Sequence, residues 1–368
     1  GCDREGVQYG PDKLRDKNII KIIQEHQHKV YDFGNLHIPY VPPSEKYLHH
    51  EKIKYLKTIL DMNNNLSHLV YSSLTSSSFP FILGGDHSLG LGSISGSSRF
   101  YNDLAVIWID AHGDINTYET SPSGNAHGMP LAFAVGVVAP SRVNVYYNGP
   151  KVKPENVYII GARDLDKGEI QFAKELDINL YTMDMVKKLG INAVIKEVLD
   201  KIKNSHVDGV HLSFDIDVLD KNLVPGTGTP VDDGFNVEEG KQVLEGFLST
   251  GLINSMDFVE LNPYRDRKDT TANLCIALID WIFKILKSKL KDNLMLGYPL
   301  IFIFTLIGYK IYKRYKGGLD LKALMTFKYK DEEFQKLTKL GYESIFKDER
   351  NIKYSDEIRD VDLMVCFN

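Results

Sequence analysis

The chain has 368 residues, of which 43% are hydrophobic and 25% charged, and it carries a formal net charge of −5. This length slightly exceeds one typical domain, so we expect one large α/β domain and a smaller additional part. No stretch of lysine and arginine dominates the main body, which argues against a nucleic-acid partner. The three cysteines are widely spaced and form no paired framework, which favours a reducing, cytoplasmic location.

The first part of the chain is predicted to be mainly helical. It begins at Gly1 in a polar, loop-like stretch without a secretory signal, which we interpret as an interior start with an upstream segment lost. Apolar residues at helical spacing predict a helix from 12 to about 27, and a short strand follows over 28–33. A lysine-rich amphipathic stretch predicts a second helix from 44 to about 71.

Further along the chain, short apolar runs alternate with helical patterns. The runs are apolar on both faces, as strands covered by helices on both sides must be, and they span 79–83, 104–109, 157–160, 210–214 and 255–259. Helical patterns include 191–202, 237–248 and a closing helix from about 270 to 290. This alternation predicts a three-layer, doubly wound, mostly parallel sheet.

Histidines and aspartates follow several of these strands directly. Ligands of such sheets bind beyond the carboxyl ends of the strands. A single aspartate there is more often a cap or a turn residue, but six candidates together indicate a metal centre. Imidazole and carboxylate ligands suit manganese better than thiolate-preferring metals. The candidates are His87, Asp110, His112, Asp114, Asp215 and Asp217.

The C-terminal part differs in kind. Residues 294–312 are mostly apolar with a basic flank, which is long enough for a transmembrane span, although a buried helix or strand pair also fits. Residues 319–368 form an incomplete strand–helix–strand pattern that is too small to fold alone. We therefore divide the chain into a domain over 1–292, a hydrophobic segment over 293–318 and a fragment over 319–368. Membrane association is expected only if 294–312 spans a bilayer, and a spurious joining of unrelated coding sequence is the alternative that we favour.

Several motifs of the first 290 residues resemble those of the ureohydrolase family, and within it the arginases. They are GGDHSLGLGSISG (84–96), DAHGDIN (110–116), SGNAHGMP (123–130), RDLDKGE (163–169), SFDIDVLD (213–220), PGTGTPV (225–231) and DFVELNP (257–263). The resemblance implies an arginase/deacetylase-type sheet. The first strand of that fold is apparently missing here, so that an edge would be exposed beside the strand before His87. It also implies a homo-oligomer, a trimer or hexamer as in the family.

The resemblance further implies two manganese ions per subunit, bridged by a hydroxide that hydrolyses L-arginine to L-ornithine and urea. His87, Asp110, Asp114 and Asp215 would hold one ion, whereas Asp110, His112, Asp215 and Asp217 would hold the other. Asp110 and Asp215 would bridge the two ions. The implied role is in arginine metabolism.

The resemblance also assigns the remaining site residues. Asp114 would orient the nucleophile, Glu260 would pair with the guanidinium group, and His127 would carry a proton to the leaving amine. The α-carboxylate would bind to Asn116, Ser121, Ser123 and Asn125. The α-ammonium would bind to Asp166, with water-mediated support from Asp164 and Glu169, and Thr229 would line the guanidine end.

Two alternatives remain open from the sequence. One is an agmatinase or another guanidino-substrate ureohydrolase, and the other is an inactive truncated fusion product. Agmatine lacks the carboxylate that the asparagine and serine side chains would read, and unpaired buried polar groups cost about 1–3 kcal/mol each. The polar set therefore favours arginine as substrate.

Overall fold

The computed structural model describes residues 1–138 and 144–286, together with the backbone of 363–367. The described residues form one compact unit. Within them, no helix is long and apolar enough to cross a membrane. The segment 294–312 and most of 319–368 lie outside the described residues, so the domain boundaries at 292 and 318 stay predictions.

One sheet of eight strands organises the unit, and every strand pair in it is parallel. The strands are β1 (Val30–Asn35), β2 (Phe79–Leu83), β3 (Leu104–Ile109), β4 (Val157–Ala162), β5 (Asn179–Thr182), β6 (Gly209–Asp215), β7 (Ser255–Val259) and β8 (Leu363–Phe367). Their spatial order is β1-β8-β2-β7-β6-β3-β4-β5. All five predicted apolar strands are present, whereas the sequence analysis did not predict β5.

Strand β8 lies between β1 and β2. It pairs in parallel with both, so that Val365 lies opposite Phe81 on one side and Asp32 on the other. The edge of β2 that we expected to be exposed is therefore paired. The backbone N–H and C=O groups of β2 find partners on both sides, which an edge strand would lack.

Helices cover the sheet. They are α1 (Gly10–Asp16), α2 (Ile19–Glu25), α3 (Leu56–Thr75), α4 (Gly90–Phe100), α5 (Pro130–Val135), α6 (Lys167–Glu175), α7 (Met183–Leu189), α8 (Ile191–Asn204), α9 (Val237–Leu248) and α10 (270–286). The predictions for α8 and α9 are confirmed. The single helix predicted over 12–27 is two helices, because Asn18 adopts φ 60° and interrupts the helical backbone.

The prediction of a helix from residue 44 is wrong over its first part. Residues 43–45 form a 3-10 turn, and α3 begins only at Leu56, after Tyr55 at φ 55°. The helical pattern is overridden there because the backbone N–H of Lys54 donates to the carbonyl oxygen of Gly124 at 3.0 Å. A tertiary contact thus replaces a helical hydrogen bond.

The alternation of side chains along the strands creates two apolar cores, one on each face of the sheet. In β3, Ala105 and Ile107 face the core that contains α8, α9 and α10. Val106 and Trp108 face the other core, which α3, α4 and α5 cover. Successive strand residues point to opposite faces, so a continuous apolar run fills both cores. The expected three-layer architecture is confirmed.

Candidate metal centre and active site

The carboxyl ends of four adjacent strands meet at one edge of the sheet. His87 follows β2 after a short loop, Glu260 directly follows β7, Asp215 ends β6 and Asp110 directly follows β3. Parallel strands present these ends on the same side, so residues far apart in sequence converge. This convergence places all six predicted metal ligands at one site.

A first group of possible ligands surrounds the imidazole of His87, which is buried. Its Nδ1 atom lies 2.9 Å from Asp110 Oδ2, 3.2 Å from Asp114 Oδ2 and 3.2 Å from Asp215 Oδ2. Nevertheless, Nδ1 makes no hydrogen bond of acceptable geometry within the described part of the chain. A buried nitrogen that faces three carboxylate oxygens is well placed to bind a cation together with them.

A second group adjoins the first. His112 Nδ1 lies 3.4 Å from Asp110 Oδ1 and 3.2 Å from Asp217 Oδ2. Asp110 belongs to both groups and presents one carboxylate oxygen to each. Two sites that share one carboxylate can hold two divalent cations close together. The bridging role of Asp215 stays a prediction.

The carboxylates crowd one another so closely that their pKa values diverge. Burial raises the pKa of Asp114 to about 7, with a further contribution from the charge of Asp110. Burial also raises the pKa of Asp215, and the neighbouring charges of Asp217 and Asp110 add to this. Burial lowers the pKa of His87, but the close contacts with the carboxylates of Asp110, Asp114 and Asp215 outweigh this and hold the pKa well above its ordinary value. Such mutual repulsion is what a bound cation relieves.

Two side chains behind the ligands fix their orientation, and the sequence analysis missed both. Trp108 stacks on His87 with ring centroids 3.8 Å apart, and its Nε1–H donates to Asp110 Oδ2 at 3.0 Å. Ser213 Oγ lies 2.7 Å from His87 Nε2. Residues 108 and 110, like 213 and 215, lie two positions apart, and the two-residue period of a strand could have indicated their shared direction. Such outer contacts orient metal-binding histidines.

The predicted substrate-binding residues line one cleft at this centre. The cleft is lined by Asn116, Ser121, Ser123, Asn125, His127, Asp164, Asp166, Glu169, Thr229 and Glu260, together with His87, His112, Asp114 and Asp215. The structure thus brings every residue of the predicted substrate set to the same place. Their individual roles stay proposals.

One wall of the cleft is a hydrogen-bonded acidic loop. Asn116 Nδ2 donates to Asp166 Oδ2 at 2.9 Å. Both carboxylate oxygens of Glu169 accept backbone N–H groups, one from Asp166 and one from Ile115. Burial raises the pKa of Glu169 to about 7. Glu169 therefore joins the loop of Asp166 to the loop of the metal ligands.

Asp164 lies close to the metal centre. Its Oδ2 atom is 3.9 Å from His112 Nε2, on the ring edge away from the ligand nitrogen. This contact places Asp164 behind a possible metal ligand as well as in the cleft wall.

Glu260 and His127 face each other across the cleft floor. The carboxylate of Glu260 is buried, and its Oε1 atom accepts the backbone N–H of His87 at 2.8 Å and lies 3.5 Å from His127 Nδ1. Although burial lowers it, the pKa of His127 is well above its ordinary value because of Cys2 and Glu260. The side chain of His127 is only 16% exposed and lies in a short 3-10 turn. Glu260 itself adopts φ 71°, a strained backbone that is typical of functional sites.

Arg163 is a further residue that the sequence analysis missed. Within residues 1–138 and 144–286, its guanidinium group donates only to backbone carbonyl oxygens, those of Gly161, Asp217, Val218, Leu219, Val231 and Asp232, at 2.7–3.4 Å. These contacts tie the loop of Asp217 to the loop after Thr229, whose hydroxyl donates to Asp217 Oδ2 at 3.0 Å. No sequence signal distinguishes such an arginine from a surface one.

The fold and the site define a class: a three-layer α/β protein with adjoining imidazole–carboxylate groups that could hold two cations at the carboxyl ends of its strands. A family model described as the arginase family matches residues 1–283. The chain belongs to the arginase family.

Individual relatives agree with this assignment. The chain is 43% identical over 280 residues to the arginase of Bacillus subtilis (strain 168), which covers 76% of this chain and 93% of that protein. A crystal structure of arginase from Bacillus subtilis superimposes with a TM-score of 0.71 at 41% identity, covering 77% of this chain and 94% of the other. The structure of Entamoeba histolytica arginase in complex with L-ornithine has a TM-score of 0.68 at 30% identity, with the same coverage of 77% and 94%.

Proposed function

We propose that this chain is an arginase that hydrolyses L-arginine to L-ornithine and urea with two manganese ions. The observation that carries the proposal is the pair of imidazole–carboxylate groups that share Asp110, at the floor of a cleft with an acidic and amide-rich wall. The names of relatives at about 40% identity support arginine as the substrate.

The donor set of the centre suits manganese. Two imidazole nitrogens and four carboxylates offer borderline and hard ligands without a thiolate, which is the set expected for Mn²⁺ rather than for a structural zinc ion. His87 with Asp110, Asp114 and Asp215 would hold one ion, and His112 with Asp110, Asp215 and Asp217 the other. When bound, two such ions lower the pKa of a shared water and so supply a nucleophile at neutral pH.

The residues around the centre can orient the guanidinium group and move a proton. Glu260 would accept hydrogen bonds from the guanidinium group, and its buried carboxylate lies beside His87 and His127. His127 would hold a proton on its imidazole and deliver it to the departing amine of ornithine. Asp114 would accept a hydrogen bond from the nucleophile and hold it in line with the guanidinium carbon.

The other end of the cleft favours an amino acid over its decarboxylated amine. Asn116, Ser121, Ser123 and Asn125 would donate hydrogen bonds to the α-carboxylate, while Asp166 would accept from the α-ammonium. Agmatine keeps an ammonium for Asp166 but lacks the carboxylate, so it would leave the four donors without a partner, which reduces its binding. We therefore propose arginase activity rather than agmatinase activity.

Urea release from each substrate tests the proposal. The full chain is loaded with Mn²⁺, and kcat/KM is measured for L-arginine and for agmatine. We expect L-arginine to be the better substrate, and we expect prior removal of the metal to abolish turnover of both. A preference for agmatine would replace the proposal by the agmatinase alternative, and absence of urea from either substrate would support an inactive product.

A further inference from the structure

Lys54 is a nearly buried lysine behind the cleft wall. Its side chain is only 11% exposed. Its ammonium group donates to Asn125 Oδ1 at 2.9 Å and forms an ion pair with Asp3. Among the described residues, those that line the cleft include Asn125 but not Lys54, and they contain no lysine or arginine. Lys54 therefore contacts this wall from behind.

Lys54 holds the loop of Asn125 at two points. Besides the side-chain contact, its backbone N–H donates to the carbonyl oxygen of Gly124 at 3.0 Å. Gly124 has φ 69°, and a Cβ atom there would lie 2.2 Å from the carbonyl oxygen of Lys52. Only glycine fits so close an approach of the two backbones. The segment before α3 and the loop 123–125 are thus fitted to each other.

The contact decides which end of the Asn125 amide faces the substrate. An ammonium group can donate but not accept, so only the amide oxygen can turn toward Lys54. The NH₂ group then points away from Lys54 and can donate to a carboxylate in the cleft. In the flipped orientation, the amide oxygen would face the carboxylate and repel it.

We propose that Lys54 is a positioning residue that determines specificity for substrates with an α-carboxylate, by fixing the amide of Asn125 as a donor to that group. The proposal rests on the proposed function, because it requires arginine as the substrate. Lys54 acts on the carboxylate only through Asn125. Its removal should therefore weaken the binding of ligands that carry the carboxylate and leave the binding of ligands without it unchanged.

The test compares ligand pairs that differ only in the carboxylate. In Lys54→Met, we expect the KM of L-arginine and the inhibition constant of L-ornithine to rise roughly ten-fold, as expected when a charge-assisted hydrogen bond is lost. The inhibition constant of 1,4-diaminobutane and the kcat for L-arginine should stay within about two-fold, since both depend on groups outside this contact. Lys54→Arg, which keeps the charge and the donors, should restore most of the lost affinity.

Two controls keep the outcomes distinct. Lys57→Met removes an exposed lysine of α3 whose partner is Asp61, and it should change none of these values. In an Asn125→Ala background, Lys54→Met should have no further effect on L-ornithine binding, because the two residues act as one unit. If Lys54→Met folds poorly, Lys54→Gln replaces it in both measurements, because an amide can accept as well as donate and so no longer fixes the orientation of Asn125.

The contrary results are equally definite. The proposal is overturned if Lys54→Met weakens the binding of L-ornithine and of 1,4-diaminobutane equally. It is also overturned if Lys54→Met has its full effect in the Asn125→Ala background. Either result would leave Lys54 a structural residue. If the unaltered chain fails to hydrolyse L-arginine or to bind L-ornithine, the proposed function fails instead.

Discussion

The guanidinium group of Arg163 should be a main support of the second ligand group. Arg163→Met keeps much of the aliphatic stem but removes all donors to six carbonyl oxygens. The contact to Asp232 is exposed, so water can replace it, whereas the contacts to Asp217, Val218 and Leu219 are partly buried. The carbonyl oxygens of Asp217, Val218 and Leu219 would lose their hydrogen-bond donor, which water replaces only in part.

The size of the effect follows from these contacts. A hydrogen bond to a charged group contributes about 1.5–3 kcal/mol, but neighbouring bonds are not additive. A buried acceptor left without a partner costs about 1–3 kcal/mol, and water replaces part of that here, so we expect the free energy of unfolding to fall by about 3 kcal/mol in total. This is a large part of the about 5–15 kcal/mol that is typical of folded domains. Because the Asp217 loop loses its anchor, the affinity for the second Mn²⁺ should also fall.

Chemical unfolding followed by circular dichroism, with and without Mn²⁺, measures both effects. Lys167→Met is the matched control, since it removes an exposed cation at the start of α6, four residues away. The reasoning is refuted if Arg163→Met lowers the unfolding free energy by less than about 1 kcal/mol and still binds Mn²⁺ as the unaltered chain does.

Four further outcomes are expected. Asp215→Ala should lose more than one Mn²⁺ per chain by metal analysis, because its carboxylate would serve both ions; loss of one ion only would contradict its bridging role. His127→Asn should lower kcat by roughly two orders of magnitude with the metal content unchanged, because general acid–base groups typically contribute that much. An unaltered kcat would mean that His127 takes no part in proton transfer. Asp166→Ala should lower kcat/KM for L-arginine roughly ten- to a hundred-fold with metal still bound, and an equal loss for 5-guanidinopentanoate, which lacks the α-ammonium, would argue against ammonium recognition. The metal-free chain should lose stability as pH rises from about 4 to 7. The pKa of Asp114 is raised from 3.8 to about 7 in the fold, so the folded state accepts the neutral carboxyl more readily than the ionised one and becomes less stable as Asp114 ionises. A thermal midpoint that rises over this range would contradict this.

Strand periodicity accounts for most of what the sequence predicted correctly. The apolar run 104–109 predicts both β3 and the arrival of Asp110 at the strand end, and the same holds for β6 and Asp215. The two-residue period also predicts that Asp110 and His112 share a direction. The strand ends, which local sequence predicts, therefore bring the candidate metal ligands together.

Contacts between distant segments could not be predicted in the same way. The helix expected from residue 44 starts at Leu56, because Lys54 is bound to the loop of Gly124, a segment about seventy residues further along the chain. The acceptors of Arg163 that the structure describes are likewise backbone carbonyl oxygens, which every residue type has, so the sequence does not reveal them. The pairing of β8 with β2 joins segments about 280 residues apart in the chain, and no local pattern indicates it.

The central claim is that two manganese ions bound by this site drive hydrolysis of L-arginine. Metal-free full-length chain is titrated with Mn²⁺, and bound Mn²⁺ per chain and urea release from L-arginine are measured on the same samples. The account predicts saturation at about two ions per chain, with urea release rising as the second ion binds. Saturation at a single ion, or full urea release without added metal, would contradict it.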